Sequence, residues 1–157
     1  MPQLKSLFFL ATFSAAFIDS ISVWQAWAAN DRVQFPEGYE NGVHYATVNR
    51  GGVSKEIFTS PQAIAAAKAG QPLPDGTVIM MEDHRGGALH RYVVMEKRAG
   101  WGDAYPESVR AGDWEFREFA PTQSPNLGEN GQRCMSCHQS QAGQDFVFTL
   151  DRMRNAD

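Results

Sequence analysis

Two cysteines and a histidine carry the first chemical signal. Cys134-Met135-Ser136-Cys137-His138 contains both cysteines of the 157-residue chain. The spacing is that of a c-type haem attachment site. Each thiol can add to one of the two vinyl groups of a haem, and the imidazole that follows is set to ligate the iron. Zinc fits poorly, because a structural zinc site takes four ligands and the chain has no second Cys or Cys/His pair. A thioredoxin-like dithiol is the residual alternative. It would want a βαβ setting, whereas this motif follows a Pro/Gly/Asn-rich loop near the end of the chain. The expected cofactor is one covalent haem c, attached at Cys134 and Cys137, with His138 on the metal.

The other end of the chain bears on where such chemistry takes place. Met1 and Lys5 supply positive charge, Leu7 to Ile18 is mostly apolar, and Ala26-Trp27-Ala28 is a small-residue cleavage site. Residues 1–28 therefore read as a cleavable signal peptide, with one domain over 29–157. The apolar run is interrupted at Asp19 and is too short for a bilayer span of about 20 residues, so no stable membrane anchor is expected. The expected location is the periplasm, the side of the bacterial membrane on which c-type cytochromes are assembled. Lys and Arg number 14 against 18 Asp and Glu, a net charge of −4 that argues against a nucleic-acid partner. At 43% hydrophobic residues the chain can fill one sizeable core.

The elements that must position the motif are mainly strands. Gly42 to Asn49 alternates as a half-buried strand, Arg50-Gly51-Gly52 turns the chain, and Val53 to Thr59 offers a second strand. Ser60 is a helix N-cap with Pro61 at the first position, followed by an Ala-rich run that stops at Gly70. Thr77 to Asp83 and Leu89 to Lys97 form a hairpin around Arg85-Gly86-Gly87, and Trp114 to Phe119 is an aromatic strand. Pro121 to Gly131 is loop, the cysteine motif starts a short helix, and Phe146 to Leu150 is read as a last strand. The fold class is α+β: mainly antiparallel sheet, with one main helix and a short C-terminal helix carrying the haem motif.

These landmarks resemble a known family. The C-terminal CxxCH after strands, Phe35-Pro36-Glu37-Gly38-Tyr39, the Ser60-Pro61 helix, Pro74-Asp75-Gly76-Thr77-Val78 and Asp145-Phe146-Val147-Phe148 are together similar to the cytochrome P-460 family and its relative cytochrome c-prime-beta. The resemblance implies a periplasmic homodimer with a five-coordinate haem, His138 as proximal ligand and the opposite face of the iron open. Cytochromes P-460 oxidise hydroxylamine and use nitric oxide on the way to nitrous oxide, passing electrons to an external acceptor cytochrome. The c-prime-beta relatives bind nitric oxide or carbon monoxide.

One departure matters. Where cytochromes P-460 carry a lysine bonded to the haem edge, this chain has Met81, and Lys55, Lys68 and Lys97 do not match that position. Met81 either packs the core beside Ile79 or contacts the macrocycle. Glu129 is similarly two-sided: the resemblance implies a carboxylate above the iron that relays protons, and the loop context implies a solvated side chain. Arg133 either pairs with a haem propionate or is a surface charge.

Hydroxylamine oxidation is the leading expectation from this reading, nitric oxide binding without catalysis the second, and electron transfer the third. The third needs an additional iron ligand from Met153, Met81, His44, His84 or His90. Phe35, Phe58, Trp101, Trp114 and Phe116 are the aromatic side chains available to a haem pocket or to plain core.

Overall fold

The computed structural model describes residues 29–157; the expected signal peptide at 1–28 lies outside the described residues. Five strands, β1 (Val43–Arg50), β2 (Val53–Thr59), β3 (Val78–Arg85), β4 (Ala88–Lys97) and β5 (Trp114–Phe119), form one antiparallel sheet. Their order in the sheet is their order in the chain, so each strand pairs with the next. Helix α1 (Pro61–Lys68) follows β2, α2 (Gln132–His138) carries the cysteine motif, and α3 (Leu150–Arg154) ends the chain. This is the α+β, strand-dominated layout expected from the sequence.

Local chemistry explains the first helix. Ser60 is extended and its hydroxyl accepts from the amide of Ala63 at 3.2 Å, while Pro61 occupies the first helical position where its missing N–H costs nothing. Ala63, Ile64 and Ala67 recur at helical spacing and turn one buried stripe to the sheet.

The sheet is buried on both faces. On one, Ile57, Ile79, Met95, Trp114 and Phe116 pack with Ala63, Ile64 and Ala67 of α1, Met135 of α2 and Leu150 and Met153 of α3. On the other, Met80, Tyr92, Val94 and Phe119 pack with Val33, Phe35, Tyr39, Phe58 and Trp101. Each large apolar side chain so buried contributes roughly 1.5–3 kcal/mol. Double coverage also explains the continuous run Tyr92-Val93-Val94-Met95: a strand buried on two sides has no polar face to alternate with.

The expected strand over Phe146 to Leu150 is absent. Asp145 and Phe146 have φ of 49° and 60°, and three turn hydrogen bonds follow, Phe146 N to Gln141 O, Val147 N to Gln144 O and Leu150 N to Val147 O. Val147 is buried and Phe148 half exposed, so the alternation of apolar side chains is real, but it is produced by tight turns leading into α3. Among the described residues no helix is long and apolar enough to cross a membrane.

Candidate haem site

Helix α2 begins at Gly131, whose φ of 74° is left-handed; a Cβ there would lie 2.5 Å from the carbonyl oxygen of Phe116. That close approach seats the helix against β5. Met135 anchors it in the core at 2% exposure. Cys134, Cys137 and His138, spaced i, i+3 and i+4, then share one side of the helix. Both thiols are free, Cys134 half buried and Cys137 exposed, and burial pushes the Cys134 thiol up from its ordinary value.

His138 is fixed from two directions. Its Nδ1 is 2.6 Å from the carbonyl oxygen of Phe146. A carbonyl only accepts, so Nδ1 carries the proton and Nε2 keeps its lone pair, the form in which imidazole binds a metal. The ring lies between Phe116 and Phe148, with centroids 4.7 Å and 4.9 Å away. Burial holds its pKa below the usual histidine value; the Phe146 hydrogen bond opposes that shift, and the charge of Lys55 adds to it.

The carbonyl that orients His138 is itself held. The Asp145 carboxylate accepts from Lys97 Nζ at 2.7 and 2.8 Å, from the Leu73 amide at 2.9 Å and, at 3.4 Å, from the Trp114 indole. The Phe146 ring lies where a Cβ on Gly112 would be, 2.6 Å from the nearest ring carbon.

His138 borders a cavity of about 220 Å³. Its walls are mostly apolar, with Val48, Ile57, Ile79, Met81, Met95 and Phe116 among them, and Lys55 is their charged member. Lys55 reaches it because it sits two residues before Ile57 on β2, on the same face of the sheet. Toward one end of that face Asp83 bonds Arg85 at 3.1 Å and Arg91 at 2.9 Å, and Arg91 bonds Glu118, which also accepts from Asn126. Arg91 and Glu118 both act electrostatically on Cys134, so this chain of charges runs past the attachment helix.

The residues singled out from the sequence fall into groups. Cys134, Cys137 and His138 stand together, and Met81 and Phe116 line the cavity with His138. Trp114 borders Asp145. Glu129 is not among the cavity-lining residues; its carboxylate pairs with Arg133 at 3.3 Å, and the Arg133 side chain is 70% exposed. His44 bonds Glu56, His84 bonds Glu82 and His90 is exposed. Met153 is wholly buried in the core and lies outside the cavity walls. Phe35, Phe58 and Trp101 pack on the opposite face of the sheet.

Sequence reasoning missed Lys55, the Lys97–Asp145 pair and Gly112. Only Lys55 left a signal, its parity with Ile57 on a strand, and reading that parity required knowing which face is the site.

These residues fit a haem. A mostly apolar slot suits a macrocycle, His138 borders it and offers its metal-binding nitrogen with the other nitrogen already engaged, and the two cysteines precede His138 on the same helix, although neither is among the cavity-lining residues. Among the described residues no group of three or more His, Cys, Asp or Glu side chains is placed to hold a bare metal ion.

Comparison with known proteins agrees with this geometry. A family model described as Cytochrome P460 matches residues 36–149. No curated protein matches the chain. The matched span takes in all five strands, the walls of the cavity and the cysteine helix, and on that extent the chain belongs to the cytochrome P460 family of haem-binding cytochromes.

Proposed function

We propose that the protein is an exported haem c cytochrome that holds one haem through Cys134 and Cys137, ligates its iron through His138 and receives small nitrogen ligands on the opposite side, nitric oxide first among them. The observation that carries this reading is the character of the cavity beside His138: among the described residues its lining is mostly apolar and contains no carboxylate. When bound, the haem supplies an iron atom with a coordination position for such a ligand.

The chain's own residues have distinct tasks in this reading. The Phe146 carbonyl keeps the proton on Nδ1 of His138 and so keeps Nε2 available. Phe116 and Phe148 fix the plane of the ring. Val48, Ile57, Ile79 and Met95 keep water away, which favours neutral diatomic ligands over hydrated ones. His44 and His84 are engaged by glutamates and stand outside the cavity, which supports one protein ligand rather than two. Met81 and Met95 are the thioethers that a six-coordinate, electron-carrying state would draw on.

Hydroxylamine oxidation is the second reading, and Glu129 is the observation in its favour. The Glu129 carboxylate is close enough to Cys134 to act on its thiol, which puts a proton acceptor near the attachment helix. An external cytochrome would take up the electrons. The periplasmic location rests on the N-terminal signal, and the homodimer on the family resemblance.

Expression in a host that matures c-type cytochromes tests these points together. The proposal expects a secreted product heavier by one haem, high-spin bands in the ferrous state and stoichiometric nitric oxide binding. Absence of the added mass rejects covalent attachment, and sharp low-spin bands reject the open position. Hydroxylamine consumption with an artificial oxidant above the rate of free haem promotes the second reading over the first.

A further inference from the structure

We propose that Asp145, clamped by Lys97, is the positioning residue of the iron ligand: it holds the two-residue left-handed turn whose second carbonyl fixes His138. The inference rests on the reading of His138 as the iron ligand and adds the device that tunes it.

The argument begins with strain. Asp145 and Phe146 are consecutive non-glycine residues at φ 49° and 60°. Left-handed backbone costs an L-residue roughly 1–2 kcal/mol, so two in succession persist only where their surroundings over-determine them. Over-determination is what the contacts provide. The Asp145 carboxylate receives Lys97 Nζ at 2.7 and 2.8 Å, the Leu73 amide at 2.9 Å and the Trp114 indole at 3.4 Å. Lys97 ends β4, Trp114 starts β5, and Leu73 is in the turn after α1, so three separate parts of the scaffold converge on one side chain. Lys97 closes the ring by donating to the Leu73 carbonyl at 3.0 Å. One residue on, the Phe146 amide is tied to Gln141 O at 2.8 Å, and its ring occupies the place of the side chain that Gly112 lacks. The Phe146 carbonyl leaves this clamp and meets Nδ1 of His138 at 2.6 Å.

The chemical consequence follows from hydrogen bonding at the far nitrogen of a ligating imidazole. A firm acceptor at Nδ1–H gives the ring more imidazolate character and makes Nε2 a stronger donor to iron, which favours the oxidised metal. Loosening the clamp frees the carbonyl, weakens that bond and favours the reduced metal. An ion pair that served only to join the end of the sheet to the C-terminal turns would alter stability and leave the iron's electronic state alone.

Haem-loaded wild type, Asp145→Asn, Asp145→Ala, Lys97→Met and, as a core control that neither lines the cavity nor bonds Asp145 or Phe146, Ile64→Ala separate the two. The readouts are the ferrous iron–histidine stretching band, the reduction potential and the unfolding temperature. The proposal expects Asp145→Ala to lower the band frequency and raise the potential, with Asp145→Asn and Lys97→Met intermediate. Ile64→Ala should lower the unfolding temperature and leave band and potential at wild-type values. Variants at Asp145 and Lys97 that lose stability while keeping the wild-type band and potential overturn it. If Asp145→Ala does not fold, the Asn and Lys97→Met variants decide by the same criterion. A wild-type protein with no iron–histidine band would instead overturn His138 as ligand, so the two failures read differently.

Discussion

The ring of Phe116 faces the imidazole of His138 at a centroid distance of 4.7 Å, inclined at 56°. Phe116 therefore belongs at once to the core, where it is 2% exposed, and to the wall of the cavity. Its backbone is equally committed, because its carbonyl lies where Gly131 leaves room at the start of α2. One residue of β5 thus sets both where the helix begins and where its last side chain comes to rest.

Replacing Phe116 with Ala is expected to cost about 3–5 kcal/mol of stability, the usual penalty for emptying a large aromatic site in a packed core. His138 also loses one of its two flanking rings, so the loaded variant should show a broadened iron–histidine band. Phe116→Leu should retain most of the stability. Denaturant unfolding of all three proteins checks the order. A Phe116→Ala variant as stable as wild type would mean that the ring is not part of the core.

Gly112 makes a narrower prediction. Its φ is 55°, and a methyl group there would lie 2.6 Å from the Phe146 ring. Gly112→Ala carries a left-handed backbone cost of about 1–2 kcal/mol and must also push the ring aside. Because the displaced residue is the one whose carbonyl holds His138, the loss of unfolding temperature should come with a shift in the iron–histidine band. A stability loss alone would show that the ring moves without its backbone.

How far the sequence reached depends on the range of the interactions involved. The cysteine motif, the Ser60-Pro61 cap, the Gly86-Gly87 turn and the strand Trp114–Phe119 are local signals, and the structure has them where the sequence puts them. The strand expected at Phe146 to Leu150 failed because alternation of Phe146, Val147 and Phe148 is also what a series of tight turns against a core produces. Asp145 contacts Leu73 and Lys97 across 72 and 48 positions, so no local window could reveal the clamp. Glu129 and Arg133 are four residues apart on paper and pair as such, yet most of the cavity wall comes from strands that run from Val48 to Phe116, far earlier in the chain, which the sheet brings to His138.

Lys55 should set how the cavity treats charge. It is the charged member of an otherwise mostly apolar lining, and it acts electrostatically on His138. An anion entering that space gains a Coulomb attraction that a neutral ligand does not feel. In the haem-loaded protein Lys55→Met is therefore expected to weaken azide binding to the ferric state about tenfold, a difference of about 1.4 kcal/mol. Carbon monoxide binding to the ferrous state should change little. Equal effects on both ligands, or none on azide, would mean that the ammonium group is turned out to solvent.

Glu115, on the face of β5 turned away from Phe116 and the cavity, predicts a pH dependence. Its side chain is 1% exposed, Arg32 Nη1 reaches Oε1 at 3.1 Å, Oε2 is buried, and the Tyr105 hydroxyl also acts on the carboxyl group. Burial raises its pKa from 4.5 to about 7, and the charge of Arg32 and the Tyr105 hydrogen bond offset only part of that rise. The folded protein then holds this proton more tightly than the unfolded chain does, so stability falls as pH rises between about 4.5 and 7. A shift of that size corresponds to roughly 3 kcal/mol once the window is crossed. Glu115→Gln has no proton to lose and should remove this slope, making the variant relatively more stable than wild type at pH 8 than at pH 5. Denaturant unfolding of both proteins at the two pH values tests the point. Parallel losses in wild type and variant would place the titrating group elsewhere.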